Sequence, residues 1–133
     1  MKFSYNWLKE YVPRISDAKK LVGDLDARAF EVEGIEQTGQ DWVLDIAVLP
    51  NRAFDCFSHL GIAREIAAIQ DVKFKEPEFK LKEDKKVKAE DLLSVEVKDK
   101  SLCPRYSGRV VLDVKVAESP EWLKEKLIAC GLR

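Results

Sequence analysis

The chain has 133 residues, of which 46% are hydrophobic and 35% charged, and its formal net charge is −1. This length allows one modest core, or a small domain and part of another. No apolar run approaches the ~20 residues of a membrane helix, and Glu10 and Pro13 interrupt any signal-peptide core. The balanced charge lacks the basic surplus of a strong nucleic-acid binder. We therefore expect a cytoplasmic globular protein without a membrane partner.

Two short helices are predicted in the first 30 residues. Ser4 can cap a helix that ends at Val12, before Pro13. Ser16 can cap a second helix over residues 17–27, whose apolar face includes Leu21 and Leu25.

A β-hairpin and a third helix are predicted next. Residues 30–37 and 42–49 both alternate apolar and polar side chains, and residues 38–41 between them are typical of a turn. Ser58 is the natural N-cap of the following helix, in which Ile62, Ile66 and Ile69 form one buried stripe.

The remaining residues divide into a charged stretch and a second folded segment. Residues 73–91 carry seven lysines and six acidic residues, which favours a solvated linker. Residues 106–116 alternate like a long strand. Ser119 as cap, Pro120 as first residue and Gly131 as stop then define a last helix. Its buried side is expected to contain Trp122, Leu123, Leu127 and Ile128.

Few residues suggest catalysis. The three cysteines are isolated and lack zinc-ligand spacing, so Cys56, Cys103 and Cys130 are expected to be free thiols in a reducing compartment. His59, the only histidine, begins a helix and is expected to pack or hydrogen-bond. A hydrolase using Cys56 or His59 is a weaker alternative, because no second catalytic partner accompanies either residue.

Four arginines are candidate contact residues. Arg52 and Arg64 flank the 58–65 stretch, and the favoured interpretation is an ion pair with Asp45, Asp55 or Glu65. The alternative is a contact with phosphate or with another subunit. Arg105 and Arg109 flank the start of the predicted 106–116 strand and are candidates for the same kinds of contact.

Three segments carry a family resemblance. The run Asn51-Arg52-Ala53-Phe54-Asp55-Cys56-Phe57-Ser58-His59-Leu60-Gly61-Ile62-Ala63-Arg64-Glu65 resembles the end of the N-terminal domain of bacterial phenylalanyl-tRNA synthetase beta subunits. The opening Ser4-Tyr5-Asn6-Trp7-Leu8-Lys9-Glu10-Tyr11-Val12, with Glu31-Val32-Glu33 after it, is similar to the start of that domain. The stretches 103–111 and 119–133 resemble the opening of the next domain.

The resemblance implies an α+β fold: a small helix-rich N-terminal domain with a β-hairpin, followed by the start of a second mixed α/β domain. The expected boundaries are 1–72 for the first domain, 73–92 for a charged linker or exposed ribbon, and 93–133 for the beginning of the editing-region domain. The family often inserts an oligonucleotide-binding-type barrel between the two hairpin strands, and the few residues available here leave no room for it.

The resemblance also implies a function. The intact family enzyme attaches phenylalanine to its tRNA with ATP and magnesium, as a heterotetramer of two alpha and two beta chains. This segment would be a scaffold that packs against other beta-subunit domains and the alpha subunit. Its candidate contacts with tRNA or a subunit would be Arg52, Arg64, Arg105 and Arg109. No catalytic, cofactor-binding or metal-binding residue is carried over, so the isolated chain is expected to be inactive and to hold no cofactor.

An alternative of another class is a free-standing interaction or nucleic-acid-binding module built on the same small domain. A genuine end of the coding frame after Arg133 would favour that module, and continuation would favour a fragment. The apolar side of the last helix needs a cover, so a homo-oligomer is a further expectation.

Overall fold

The computed structural model describes residues 1–132, which contain five α-helices and one three-stranded antiparallel sheet. This arrangement confirms the α+β class. The strands are β1 (Lys2–Ser4), β2 (Val32–Thr38) and β3 (Asp41–Ile46), and the helices are α1 (Tyr5–Tyr11), α2 (Ala18–Arg28), α3 (Ala53–Cys56), α4 (His59–Ile69) and α5 (Glu121–Ala129). Short 3₁₀ turns occupy Pro50–Arg52 and Ala89–Asp91. No helix in this part of the chain is long and apolar enough to cross a membrane.

Two of the predicted helix caps are confirmed. The hydroxyl of Ser4 accepts the N–H of Trp7 at 3.0 Å, and that of Ser58 accepts the N–H of Gly61 at 3.0 Å. The cap predicted at Ser16 is wrong, because Asp17 caps α2 by accepting the N–H of Lys20. The N-cap therefore lies one residue later than predicted, because aspartate caps a helix as well as serine does.

The predicted hairpin is confirmed as β2 and β3, which pair in antiparallel register around Gly39. Gly39 has φ of 61°, which glycine adopts without steric cost. Strand β1 was not predicted, because three residues are too few to show an alternation. It pairs with β3, with Phe3 opposite Leu44, and gives the strand order β1-β3-β2.

The core lies between the sheet and the helices α1, α2 and α4. Ile62 and Ile66 are fully buried there, as the predicted stripe requires, and Ile69 packs partly against them. The other large side chains with no exposed surface are Phe3, Leu8, Leu21, Leu25, Leu44 and Ile46.

The chain forms two compact units, one made of residues 1–78 with 119–132 and the other of residues 79–118. In the first unit, α5 contacts β1. In the second, the only helix or strand is the short turn Ala89–Asp91. The boundaries 72/73 and 92/93 remain a prediction about the longer family proteins, because compactness within one chain does not test them.

The strand predicted at 106–116 is wrong for this structure. Residues 104–118 form no strand, and they make no backbone–backbone hydrogen bond within residues 1–132. Alternation describes side chains, whereas a strand also requires a neighbouring strand to pair its N–H and C=O groups. Several apolar side chains of the stretch are consequently exposed, among them Val111, Leu112, Val114 and Val116.

The last helix begins one residue later than predicted, with Pro120 as its N-cap, and Gly131 follows it with φ of 77°. Of its predicted buried side, Leu123 and Leu127 are half-buried, but Trp122 and Ile128 are exposed. The prediction was wrong for these two because α5 covers the first unit with only part of its apolar surface. Arg133 lies outside the described residues.

Candidate functional site

Arg52 ends the Pro50–Arg52 turn that follows the hairpin, and it contacts side chains of the next two helices, α3 and α4. Its guanidinium donates to Asp55 of α3 at 2.9 Å and to Glu65 of α4 at 2.9 Å. It also lies 5.2 Å from the ring centroid of Phe30. The predicted ion pair is therefore confirmed for Asp55 and Glu65, and Asp45 instead contacts the terminal amine of Met1.

These contacts stabilise the charged forms of both partners. The carboxylates of Asp55 and Glu65 raise the pKa of Arg52, and the guanidinium of Arg52 lowers the pKa of Asp55. The forked guanidinium holds two carboxylates on two different elements, which fixes the geometry of the turn.

Cys56 lies beside this cluster, with its sulfur 3.2 Å from Nη2 of Arg52. The side chain is buried, and burial raises the pKa of its thiol to about 11 despite the neighbouring positive charge. A thiol with that pKa is protonated near neutral pH and is a poor nucleophile. The arrangement does not support the hydrolase alternative.

His59 is buried at the start of α4. Its Nε2 accepts the backbone N–H of Ser4 at 2.9 Å, and its ring stacks on Trp7 with a centroid separation of 4.0 Å. Burial lowers the pKa of the imidazole to about 4, and the nearby Lys126 lowers it further while Asp41 opposes the shift. The neutral ring links α4 to α1 and β1, as the packing interpretation predicted.

The other candidate arginines are more exposed. Arg64 donates to Glu76 at 2.9 Å and lies 5.4 Å from the ring of Phe74, a partner that sequence reasoning did not identify. Arg109 lies 3.6 Å from Glu83 in the second unit. Arg105 is exposed in that same unit. Arg52 and Arg64 thus belong to one compact unit and Arg105 and Arg109 to the other.

A groove of about 620 Å³ is the feature that sequence reasoning missed. It lies entirely within the first unit and is lined by α1, the β2–β3 turn and α5. Residues from both ends of the chain and from the hairpin meet there, including Trp7, Glu10, Asp41, Trp122, Glu125 and Lys126. No local pattern could indicate it, because it forms only when α5 docks beside α1.

The charged groups of the groove are mostly carboxylates. Asp41 is held by internal hydrogen bonds from the Ser4 hydroxyl at 2.6 Å and the Asn6 N–H at 2.8 Å. Lys126 donates to Glu10 at 2.7 Å. Within residues 1–132, no group of three or more histidine, cysteine or acidic side chains is arranged to hold a metal ion.

No protein-family model matches the chain. Curated proteins do match it, and they carry the name phenylalanine–tRNA ligase beta subunit. The protein from Rhodopirellula baltica is 41% identical over 132 residues, which cover 99% of this chain and 19% of the relative. Those from Syntrophus aciditrophicus and Fusobacterium nucleatum are 45% and 44% identical over 71% and 69% of this chain, and 11% of each relative.

These matches agree with the resemblance carried by the 51–65 stretch. The chain spans one fifth or less of the length of the curated relatives that it matches. The similarity to the Rhodopirellula protein nevertheless extends over almost every residue of the chain. The chain therefore belongs to the phenylalanine–tRNA ligase beta subunit family and corresponds to a part of that subunit.

Proposed function

We propose that this part of the beta subunit is a non-catalytic scaffold within an enzyme that attaches phenylalanine to its tRNA. The observation that carries the proposal is the internal use of the chemically distinctive side chains of the 51–65 stretch. Arg52 is ion-paired twice, His59 accepts a backbone N–H, and Cys56 has a raised pKa. Groups engaged in this way stabilise a fold and are not available for a substrate.

The partner in this proposal is a phenylalanyl-tRNA synthetase alpha subunit, together with the rest of the beta subunit. Phe54 and Phe57 support it, because they lie on and beside the short helix α3 and are 88% and 53% exposed. Exposed aromatic side chains on a well-fixed turn are typical of protein–protein contacts. The binding of ATP and magnesium belongs, in this proposal, to the intact enzyme and to residues outside this chain.

Contact with tRNA is a secondary part of the proposal. Arg64, Arg105 and Arg109 are exposed enough to reach a phosphate, whereas the guanidinium of Arg52 is already used by two carboxylates. A free-standing interaction module is the competing function.

The test is a co-purification of this chain with the alpha subunit and the phenylalanine tRNA of the same organism, with aminoacylation assayed in parallel. We expect retention of the alpha subunit, no aminoacylation by the chain alone, and weaker retention for Phe54→Ser combined with Phe57→Ser. Val116→Ser is the matched control, because Val116 is an exposed apolar residue far along the chain. Retention of neither partner by the unsubstituted chain would contradict the proposal and favour the free-standing module.

A further inference from the structure

The groove between α1 and α5 already holds one cation. The Nζ atom of Lys126 lies 5.0 Å from the ring centroid of Trp7 and 5.9 Å from that of Trp122. It also donates to Glu10 at 2.7 Å. Two aromatic rings and a carboxylate around an ammonium group form the environment in which proteins bind cationic side chains.

The groove offers further negative charge beyond this internal pair. Its lining includes three carboxylates, from Glu10, Asp41 and Glu125, but a single ammonium group. Glu125 forms no ion pair with any residue from 1 to 132. A phosphate backbone would be repelled by this lining, whereas a positively charged side chain would complement it.

The groove also offers exposed apolar surface next to that charge. Trp122 is 62% exposed and Ile128 is 55% exposed, and both line the groove together with Glu125. The three side chains project from the same helix, with Trp122 and Glu125 three residues apart and therefore adjacent on its surface. A ligand that complements them needs an apolar group beside a cation.

We propose that this groove binds an extended peptide segment that carries arginine or lysine side chains next to apolar ones. Its volume of about 620 Å³ accommodates a few side chains, in the range of pockets that bind small ligands. Side chains two positions apart in an extended peptide point to the same side, so a cationic and an apolar side chain at positions i and i+2 can reach Glu125 and Trp122 together. The inference goes beyond the proposed scaffold function and does not depend on binding of the alpha subunit.

The probe is a short fluorescein-labelled peptide in which arginine and leucine stand two positions apart with serine between them, titrated with the chain at physiological ionic strength and followed by fluorescence anisotropy. We expect saturable binding that Glu125→Lys and Trp122→Ala each weaken by about tenfold or more. Glu31→Lys makes the same charge change at an exposed position outside the groove and is expected to leave the affinity unchanged. Far-ultraviolet circular dichroism of each variant verifies the fold.

Indole N–H resonances locate the bound peptide. The chain has three tryptophans, and Trp42 does not line the groove. Addition of peptide should therefore shift the resonances of Trp7 and Trp122 and leave that of Trp42 in place. Three results would overturn the inference: equal weakening by Glu31→Lys and Glu125→Lys, equal binding of a peptide with glutamine in place of arginine, or no saturable binding of the arginine peptide.

Discussion

Gly61 in α4 lies directly against the backbone of Asp55 in α3. A Cβ atom added at Gly61 would lie 1.8 Å from the carbonyl oxygen of Asp55 and 3.0 Å from the Cα atom of Cys56. Backbone atoms cannot rotate out of the way as a flexible side chain can. The two helices therefore approach this closely only because residue 61 has no side chain, and the approach places Glu65 within reach of Arg52.

Gly61→Ala is accordingly expected to destabilise the fold. The two helices would have to separate, and overpacking of this kind lowers the free energy of unfolding by about 1–3 kcal/mol or more. Urea denaturation measures the change. Gly23→Ala in α2 is the control: a Cβ there meets no atom within 4 Å, and alanine should raise the free energy of unfolding by about 0.5–1 kcal/mol. Equal effects of the two substitutions would show that α3 and α4 are not in close contact.

Arg52→Gln tests the ion-pair cluster. The substitution removes the cation that links Asp55 of α3 to Glu65 of α4, and leaves two carboxylates near each other without a counter-charge. We expect a lower thermal unfolding midpoint, measured by circular dichroism. Arg109→Gln is the matched control, because the pair of Arg109 with Glu83 is long, at 3.6 Å, and solvent-exposed, so its loss should change the midpoint little. An unchanged midpoint for Arg52→Gln would exclude a structural role.

His59 should make the stability pH-dependent below neutrality. The pKa of His59 is lowered to about 4 in the folded chain, while the imidazole of the unfolded chain keeps its ordinary pKa of about 6.5. The unfolded state therefore takes up the proton first as the pH falls. At a pH of about 5 this uptake should reduce the free energy of unfolding by about 2 kcal/mol relative to pH 7.

The control for this prediction is His59→Phe, which keeps an aromatic ring beside Trp7 but cannot titrate. The variant should be less stable at neutral pH, because the N–H of Ser4 loses its acceptor. Its stability should vary less between pH 7 and 5 than that of the unsubstituted chain. The same pH dependence in both proteins would assign the effect to other groups.

The three thiols should differ in reactivity. Cys56 is buried and burial raises its thiol pKa to about 11, and burial also raises the pKa of Cys130. Cys103 and Cys130 are both half-buried, but the sulfur of Cys130 also lies 3.8 Å from Nε2 of the buried His59. Titration of the native chain with a chromogenic disulfide at mildly alkaline pH should show one fast thiol and two slow ones. Cys103→Ser should abolish the fast phase; a fast phase that persists would contradict the assignment.

Ser58 and Ser119 were both predicted as helix N-caps, and the structure confirms the role for Ser58 but not for Ser119. Ser58 accepts the N–H of Gly61, so Ser58→Ala should cost about 1 kcal/mol of unfolding free energy. Ser119 was predicted as a cap, but Pro120 occupies that position and no side chain caps α5. Ser119→Ala should therefore leave the stability unchanged in the same urea titration.

Much of the fold follows from interactions between neighbours in the sequence. The caps at Ser4 and Ser58 involve residues three positions apart, and the hairpin turn at Gly39 depends on the conformational freedom of one residue. The stripe of Ile62 and Ile66 reflects helical spacing alone. Such features depend on short-range hydrogen bonds and on side-chain periodicity, and both can be identified directly in a sequence.

The remaining features depend on which distant segments meet, and the tertiary structure alone decides them. Strand β1 exists because β3 pairs with it, and residues 106–116 stay unpaired because no strand lies beside them among residues 1–132. The groove requires Lys126 to reach Glu10, a contact across 116 positions. Periodicity tells which side of an element is apolar, but the partner that covers it is selected by packing of the whole chain.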